Sequence, residues 1–532
     1  MMRLCLATMA AAIALCRPDP GMAQEATADS QAASVVGQGA DADLQAAAAG
    51  ADASVASPSP TVQTLQEALV QTYRTSPALM AQRAALRGLD SGAALERAGG
   101  HPQLATGVSF GQEVYTNRLR GSRGRDLTAT ADVEQVLFAG GRIRNAVSAA
   151  DTRVIAGRAD LRAVEGDVLS EAVAAYADLT RDRAIRDFTL DQVRSLEANL
   201  ESTRSRLRVG DLTRTDVSQS EARLALAQSG LALAHGRVRF SEENFERVVG
   251  FRAGTLAPLP PLPPLPPTIE EAVDTTLSDN ADVASFASRT RAAQFDVAAI
   301  RANRLPTVSA VGATTYSNAL GTANTSNGLP PGSLANSETN FVAGLSLRLP
   351  LYQGGAASAR VRQAEEARSV LLEQTIQVER LAVANARAAY ATWQNSLVAI
   401  AANESAIASN EVALQSVKIE QTVGSRSIIE VLNAEQELLS SRISLASAMR
   451  DAYVAAYDLL NAMGAAEAAD LGIGSDALYD PAANYREYGG SWSDWADGPR
   501  RPPASTRTVP EQADSPVTRL NNGTPSSGEV DP

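Results

Sequence analysis

Apolar residues at Leu161, Val164, Val168, Ala172, Ala175 and Leu179 recur in steps of three and four, the rhythm of a coiled-coil seam. The pattern predicts one unbroken helix over residues 142–208, 67 residues and about 100 Å at 1.5 Å per residue. Residues 66–99 and 214–249 also read as helical, 34 and 36 residues, so that two shorter helices end to end match one long one. Between the helices the period changes to two. After Pro102, Leu104, Thr106, Val108 and Phe110 alternate with Ala105, Gly107, Ser109 and Gly111. Leu127, Ala129, Ala131 and Val133 then alternate with Thr128, Thr130, Asp132 and Glu134. Further on, Phe341, Ala343, Leu345, Leu347 and Leu349 alternate with Val342, Gly344, Ser346 and Arg348, and residues 307–316 form a weaker partner. These are two hairpins, four strands in all.

The chain is written twice. Leu65-Gln66-Glu67-Ala68-Leu69 answers Ile269-Glu270-Glu271-Ala272-Val273, and Pro102 answers Pro306, at an offset of 204. Phe138-Ala139-Gly140-Gly141 answers Tyr352-Gln353-Gly354-Gly355 at an offset of 214, which also relates Tyr176 to Tyr390, Val209-Gly210 to Val423-Gly424, and Gly250 to Gly464. The second copy therefore carries ten extra residues between its proline and its Gly-Gly. A repeat of this kind fixes an architecture before local assignments are made. The expected organisation is a signal peptide over 1–23, a disordered segment over 24–64 and a first helix–hairpin–helix repeat over 65–257. A Pro-rich connector over 258–268, a second repeat over 269–464 and a mostly irregular tail over 465–532 complete it.

Strands with one apolar face and about 9 to 11 residues can cross a bilayer as part of a barrel. A half-buried soluble sheet is the plainer reading, yet it leaves unexplained two hairpins mounted far apart between long helices. Four strands cannot close, and lipid does not tolerate an open edge. A barrel must then be shared, with eight, twelve or sixteen strands from two, three or four chains. The loop from Tyr115 to Asp126, with Arg118, Arg120, Arg123 and Arg125, would face outward.

Composition narrows the function. The net charge of −13 lies mostly in the flanks. Residues 24–64 carry −5, residues 465–532 carry −6 and residues 1–23 carry +1, leaving −3 for 65–464. Nothing here suits a nucleic-acid partner. The sole lysine, Lys418, follows Val417, so no Gly-Lys-Ser/Thr phosphate loop can form. Two histidines, His101 and His235, and two cysteines, Cys5 and Cys16, supply no metal centre or catalytic triad; no enzyme, cofactor or metal is expected. Arg3, the apolar run 4–15 and Gly21-Met22-Ala23 read as a secretory signal. Bulky Leu15 argues against lipidation at Cys16, and cleavage after Ala23 would leave a thiol-free chain.

The turns between long and short helices carry the candidate site. They read Val209-Gly210-Asp211-Leu212-Thr213-Arg214-Thr215-Asp216-Val217 and Val423-Gly424-Ser425-Arg426-Ser427-Ile428-Ile429-Glu430-Val431. Each has a glycine placed to end a helix in the left-handed region. Thr213 with Asp216, and Ser427 with Glu430, stand at capping-box spacing. Arg426 could pair with Glu430, four residues on, and Asn433 shares that helical face.

The duplicated helix–hairpin–helix pattern and the paired Val-Gly turns resemble the TolC-like outer-membrane factor family over about residues 65–464. The resemblance implies an α+β membrane protein: a homotrimer whose twelve strands form an outer-membrane β-barrel continuous with a long periplasmic α-helical barrel. It further implies an exit duct in the Gram-negative outer membrane, joined through a periplasmic adaptor (membrane fusion) protein to an inner-membrane ABC or proton-driven pump. Such a duct passes drugs, small solutes or polypeptides and performs no covalent chemistry. By the same resemblance Val209, Gly210, Asp211, Leu212, Val423, Gly424 and Ser425 touch the adaptor. Thr215 and Asp216 would bond to Arg426 of a neighbouring chain to hold the periplasmic mouth shut, and Glu430 and Asn433 would line the constriction. The family pattern has two aspartates there; Glu and Asn here leave three acids per ring rather than six, so tight cation binding is not carried over. The first turn resembles members serving type I secretion somewhat more than drug efflux. The alternative from another class is a periplasmic or surface coiled-coil scaffold or adhesin without a pore.

Overall fold

The computed structural model describes residues 63–112, 125–322, 335–474, 478–499, 501–503 and 505. The signal, the segment before Gln63, the arginine loop from 115 to 124 and the tail beyond 505 lie outside these residues. In chain order the elements are α1 (Leu65–Thr75), α2 (Pro77–Ala98), β1 (Gln103–Gln112), β2 (Arg125–Phe138), α3 (Arg142–Arg208) and α4 (Arg214–Val249). The second copy gives α5 (Ile269–Asp279), α6 (Ala281–Ala302), β3 (Thr307–Asn318), β4 (Ser337–Arg348), α7 (Ala356–Thr422) and α8 (Ile428–Ala462), followed by α9 (Ala483–Tyr488).

The two long helices, α3 and α7, are each 67 residues. The helix expected over 66–99 is broken at Ser76-Pro77. Proline disfavours the helical region for the residue before it, and Ser76 sits at ψ 123, closing α1 and capping α2. In the second copy Asn280 does the same without a proline, accepting the Val283 N–H at 3.1 Å. The short helices then stack along the long ones. Arg97 near the end of α2 pairs with Asp151 near the start of α3 at 2.6 Å, while α4 meets the rest of α3 through Arg247–Glu171 and Arg204–Glu221. On its other side α3 meets α6 through Arg289–Asp160 and α8 through Arg450–Asp178. Both of these pack on α7, through Arg301–Glu365 and Arg442–Glu411. The wall order is thus α2 and α4, then α3, then α6 and α8, then α7.

The strands repeat that order. They form one antiparallel sheet, β1-β2-β3-β4, the two hairpins being joined by β2 and β3. Its register sets Leu104 opposite Val133, Phe110 opposite Leu127, Ala129 opposite Tyr316 and Thr314 opposite Phe341. Directly paired residues share a face, so the alternating apolar positions of β1, β2 and β4 gather on one side with Val308, Ala310 and Tyr316 of β3, while Val311 and Ala313 of β3 lie on the other. β1 and β4, the outer strands, are exposed along their whole length. β2 runs to Phe138 through a bulge at Leu137, between Val136 and Phe138, further than its alternation reaches. Six of the ten extra residues of the second copy enlarge the segment between its strands, 18 residues against 12. The other four lengthen the approach to Gly354, where five residues follow β4 and only Ala139 follows β2.

The main core lies midway along α3, where Leu169, Val173, Tyr176 and Leu179 meet α1, the end of α4 and the end of α8. Of the seam positions, only Val164 is less than fully buried, and it packs on the same cluster. The connector joins this core by one edge. Leu256, Leu259, Leu262 and Leu265 are three apart, the turn of a polyproline helix, so all four pack inward. Tyr176 lies within hydrogen-bonding reach of the carbonyls of Gln63 and Ala257, at 2.9 and 2.7 Å. Its repeat partner Tyr390 donates to the carbonyl of Pro267 at 2.8 Å. The duplicated tyrosines therefore hold the two ends of the connector. Burial pushes the Tyr176 phenol up to about 12.

Gly464 ends α8 near φ +74, against the end of α5, and a Cβ there would lie inside the van der Waals envelope of the Asp279 carbonyl. Gly354 has φ +59 and open space around it. Gly354→Ala is expected to cost about 1–2 kcal/mol for the left-handed backbone, and Gly464→Ala distinctly more. Thermal unfolding in detergent measures both.

Candidate functional site

Both turns lie at the ends of α3 and α7 remote from the strands. Gly210 and Gly424 adopt φ +82 and +81. The Asp211 N–H donates to the Arg206 carbonyl at 2.9 Å and the Ser425 N–H to the Glu420 carbonyl at 3.0 Å. These six-to-one bonds satisfy carbonyls that a helix end would leave open. Val209 and Val423 project outward, 79% and 74% exposed, and Asp211 pairs with Arg206 at 2.6 Å. Leu212 is half-buried.

In the first turn the capping box forms in full. The Asp216 N–H donates to the Thr213 hydroxyl at 3.3 Å, and the Asp216 carboxylate accepts from the Thr213 N–H and hydroxyl at 2.9 and 2.8 Å. Those bonds, the backbone one first, hold its pKa below the ordinary 3.8. Thr215 is exposed beside it. In the second turn the Glu430 carboxylate accepts from the Ser427 N–H at 2.9 Å and from Arg426 Nη1 at 3.1 Å. Its pKa falls below 4.5, the backbone bond again being the larger cause. Arg426 also reaches Glu420 through Nε at 2.8 Å, a partner that the capping and i,i+4 arguments miss. Asn433 accepts from Arg223 of α4 at 2.9 Å.

A second group sits just inside the turns. Glu435 is only 4% exposed, and its carboxylate accepts from Ser195 at 2.8 Å and Asn199 at 3.1 Å on α3 and pairs with Lys418 of α7 at 2.8 Å. It joins three helices. Next to it Ile428 and Leu432 pack on Leu196, with Leu224 and Ala227 of α4 against them. The sequence holds a signal for this hub: Ile428, Val431, Leu432 and Leu438 trace a buried stripe on α8, and Glu435 falls on it. A polar residue on a buried stripe needs partners.

The family model described as "Outer membrane efflux protein" matches residues 65–250 and 272–465, and the chain belongs to that family. It is 32% identical over 436 residues to the outer membrane efflux protein BepC of Brucella suis biovar 1 (strain 1330), covering 81% of this chain and 91% of that one. It is 27% identical over 272 residues to the proteases secretion protein PrtF of Dickeya chrysanthemi, covering 48% and 54%. Among solved structures, CusC superposes with a TM-score of 0.65 at 18% identity, over 75% of this chain and 91% of that chain, which shows the shared fold. The family and BepC carry the description of outer membrane efflux proteins, and the chain resides in the Gram-negative outer membrane. No helix among the described residues is long and apolar enough to cross a membrane.

Two outcomes follow. Glu435→Ala strands the Ser195 and Asn199 donors and Lys418, and is expected to cost about 1–3 kcal/mol; Glu435→Gln should cost less, as read by denaturant unfolding in detergent. The carboxylates of Asp216 and Glu430 have folded pKa values lowered from 3.8 and 4.5. Their stabilisation is therefore complete above pH 4.5 and lost as pH falls through the lowered values. Amide protection at Thr213 and Ser427, relative to intrinsic exchange, should disappear across that acid range while the middle of α3 stays protected.

Proposed function

We propose that three copies of this chain close into an outer-membrane duct, twelve strands above and a tunnel of helices below, through which cargo leaves the periplasm. One observation carries the reading: the sheet and the wall are open on the same two sides. β1 follows α2 at one flank, and β4 leads into α7 at the other. The α4 side of the first flank exposes Leu226, Leu233 and Phe240 in a seven-residue stripe, and α7 exposes Val398 and Val412. Edge strand and exposed flank of one copy meet the opposite pair of the next, a head-to-tail contact that closes into a ring.

The duct is passive. A periplasmic adaptor and an inner-membrane ABC or proton-driven pump open it at the turns, with Val209 to Leu212 and Val423 to Ser425 as the contact surface. Thr215 and Asp216 of one copy face Arg426 of the next and hold the mouth, while Glu430 and Asn433 line it. Arg426 sits between Glu420 and Glu430 on the surface, where water and salt screen such pairs and leave them weak. They yield readily to a neighbour's side chains. Cargo is polypeptide, in line with the protease secretion in the name of PrtF, or the substrate of an efflux pump, in line with the efflux in that of BepC.

Cysteines placed on β1 and β4 should crosslink copies into dimers and trimers in detergent; a monomer throughout would overturn the ring. Arg426→Ala should raise single-channel conductance in planar bilayers, and unchanged conductance would remove the latch.

A further inference from the structure

Two of the three tryptophans, Trp492 and Trp495, stand out in solvent, 71% and 93% exposed, in the segment after α9. That segment is fastened. Asn484 donates to Asp90 at 3.0 Å, the Tyr485 hydroxyl to Asp151 at 2.8 Å, and Arg97 to the Gly489 carbonyl at 2.6 Å. The Arg97 guanidinium also lies over the Tyr485 ring. These ties grip α2 and α3 close to where α2 gives way to β1. The Trp492 ring then stacks on His101, centres 4.0 Å apart and planes 20° apart. His101 stands two residues before β1, so the indole is held at the foot of the sheet.

That level is distinctive. The repeat-related pair Phe138 and Tyr352, each two residues before its Gly-Gly, are 53% and 88% exposed at the feet of β2 and β4. Apolar strand positions begin immediately above, with Leu104 and Leu347 exposed at 74% and 69%. An indole combines a large apolar body with one N–H donor and concentrates where hydrocarbon meets water. Asp494 and Asp497 flank the second indole, and carboxylates are costly in the hydrocarbon. The segment therefore suits the headgroup zone and not the membrane core.

We infer that residues 483–499 form an interfacial anchor, placing the indoles of Trp492 and Trp495 among the phospholipid headgroups of the periplasmic leaflet of the outer membrane. The inference rests on the barrel reading above. The segment after the second repeat then fixes the depth at which the barrel foot sits, against axial load transmitted along the helices.

The test uses the mature full-length chain carrying Trp393→Phe, so that only the two indoles emit. The protein is reconstituted in phosphatidylethanolamine–phosphatidylglycerol vesicles doped with phosphatidylcholine brominated near the headgroup or near the bilayer centre. Flotation with the vesicles, a larger loss of emission with the shallow bromine than the deep one, and protection from aqueous iodide support the anchor. Flotation with emission untouched by bromine but quenched by iodide places the indoles in water and overturns it. Emission untouched by either quencher means that a neighbouring copy covers them, and overturns it as well. Failure to float refutes the barrel reading itself, and the anchor falls with it.

Discussion

A backbone N–H or C=O in hydrocarbon has no water to turn to, and leaving one unpaired costs several kcal/mol. β1 and β4 each present a row of such groups at the margin of a four-stranded sheet. Along ten to twelve residues of strand the sum exceeds the whole stability of an ordinary domain, about 5–15 kcal/mol. In the proposed ring, pairing edge with edge removes that cost, and this constraint reaches into the rest of the molecule. Such a ring asks the helical wall to carry its open flanks on the same sides as the sheet, so that the two layers close together. The order α2 and α4, α3, α6 and α8, α7 beneath β1, β2, β3, β4 meets that demand.

Within one copy, cohesion comes from the middle of the wall. Tyr176 and Tyr390 bind the ends of a polyproline strap whose leucines, three apart, face the core. The strap fixes the two halves with few long side chains and little lost rotamer freedom, since proline has almost none to lose. Toward the remote ends packing thins, and exposed ion pairs and caps take over. Local stability therefore falls from the middle of the wall toward its tip.

Much of this was legible in the residues. The helical character of α3 followed from a seam of six apolar positions over 161–179, all packed on the main core. Strand faces followed from alternation, and the register of β1 with β2 matched them residue for residue. The break at Ser76-Pro77 was written in the sequence too, but the amphipathic period runs across it and masks it. What local pattern could not reveal were partners far along the chain. Glu435 with Ser195 and Lys418, Arg223 with Asn433, and His101 with Trp492 are brought together only by the fold. At the turns, both candidate acids proved to serve their own helix starts, as the capping argument anticipated, and Glu420 completed the setting of Arg426.

Lys418 is the sole side-chain amine in the chain, half-exposed, and one of its contacts is the carboxylate that ties three helices together. Acylating reagents would therefore find a single ε-amino target per subunit, without any engineered residue. How fast that nitrogen reacts becomes a native reporter of whether the helices near the tip are drawn together or spread apart.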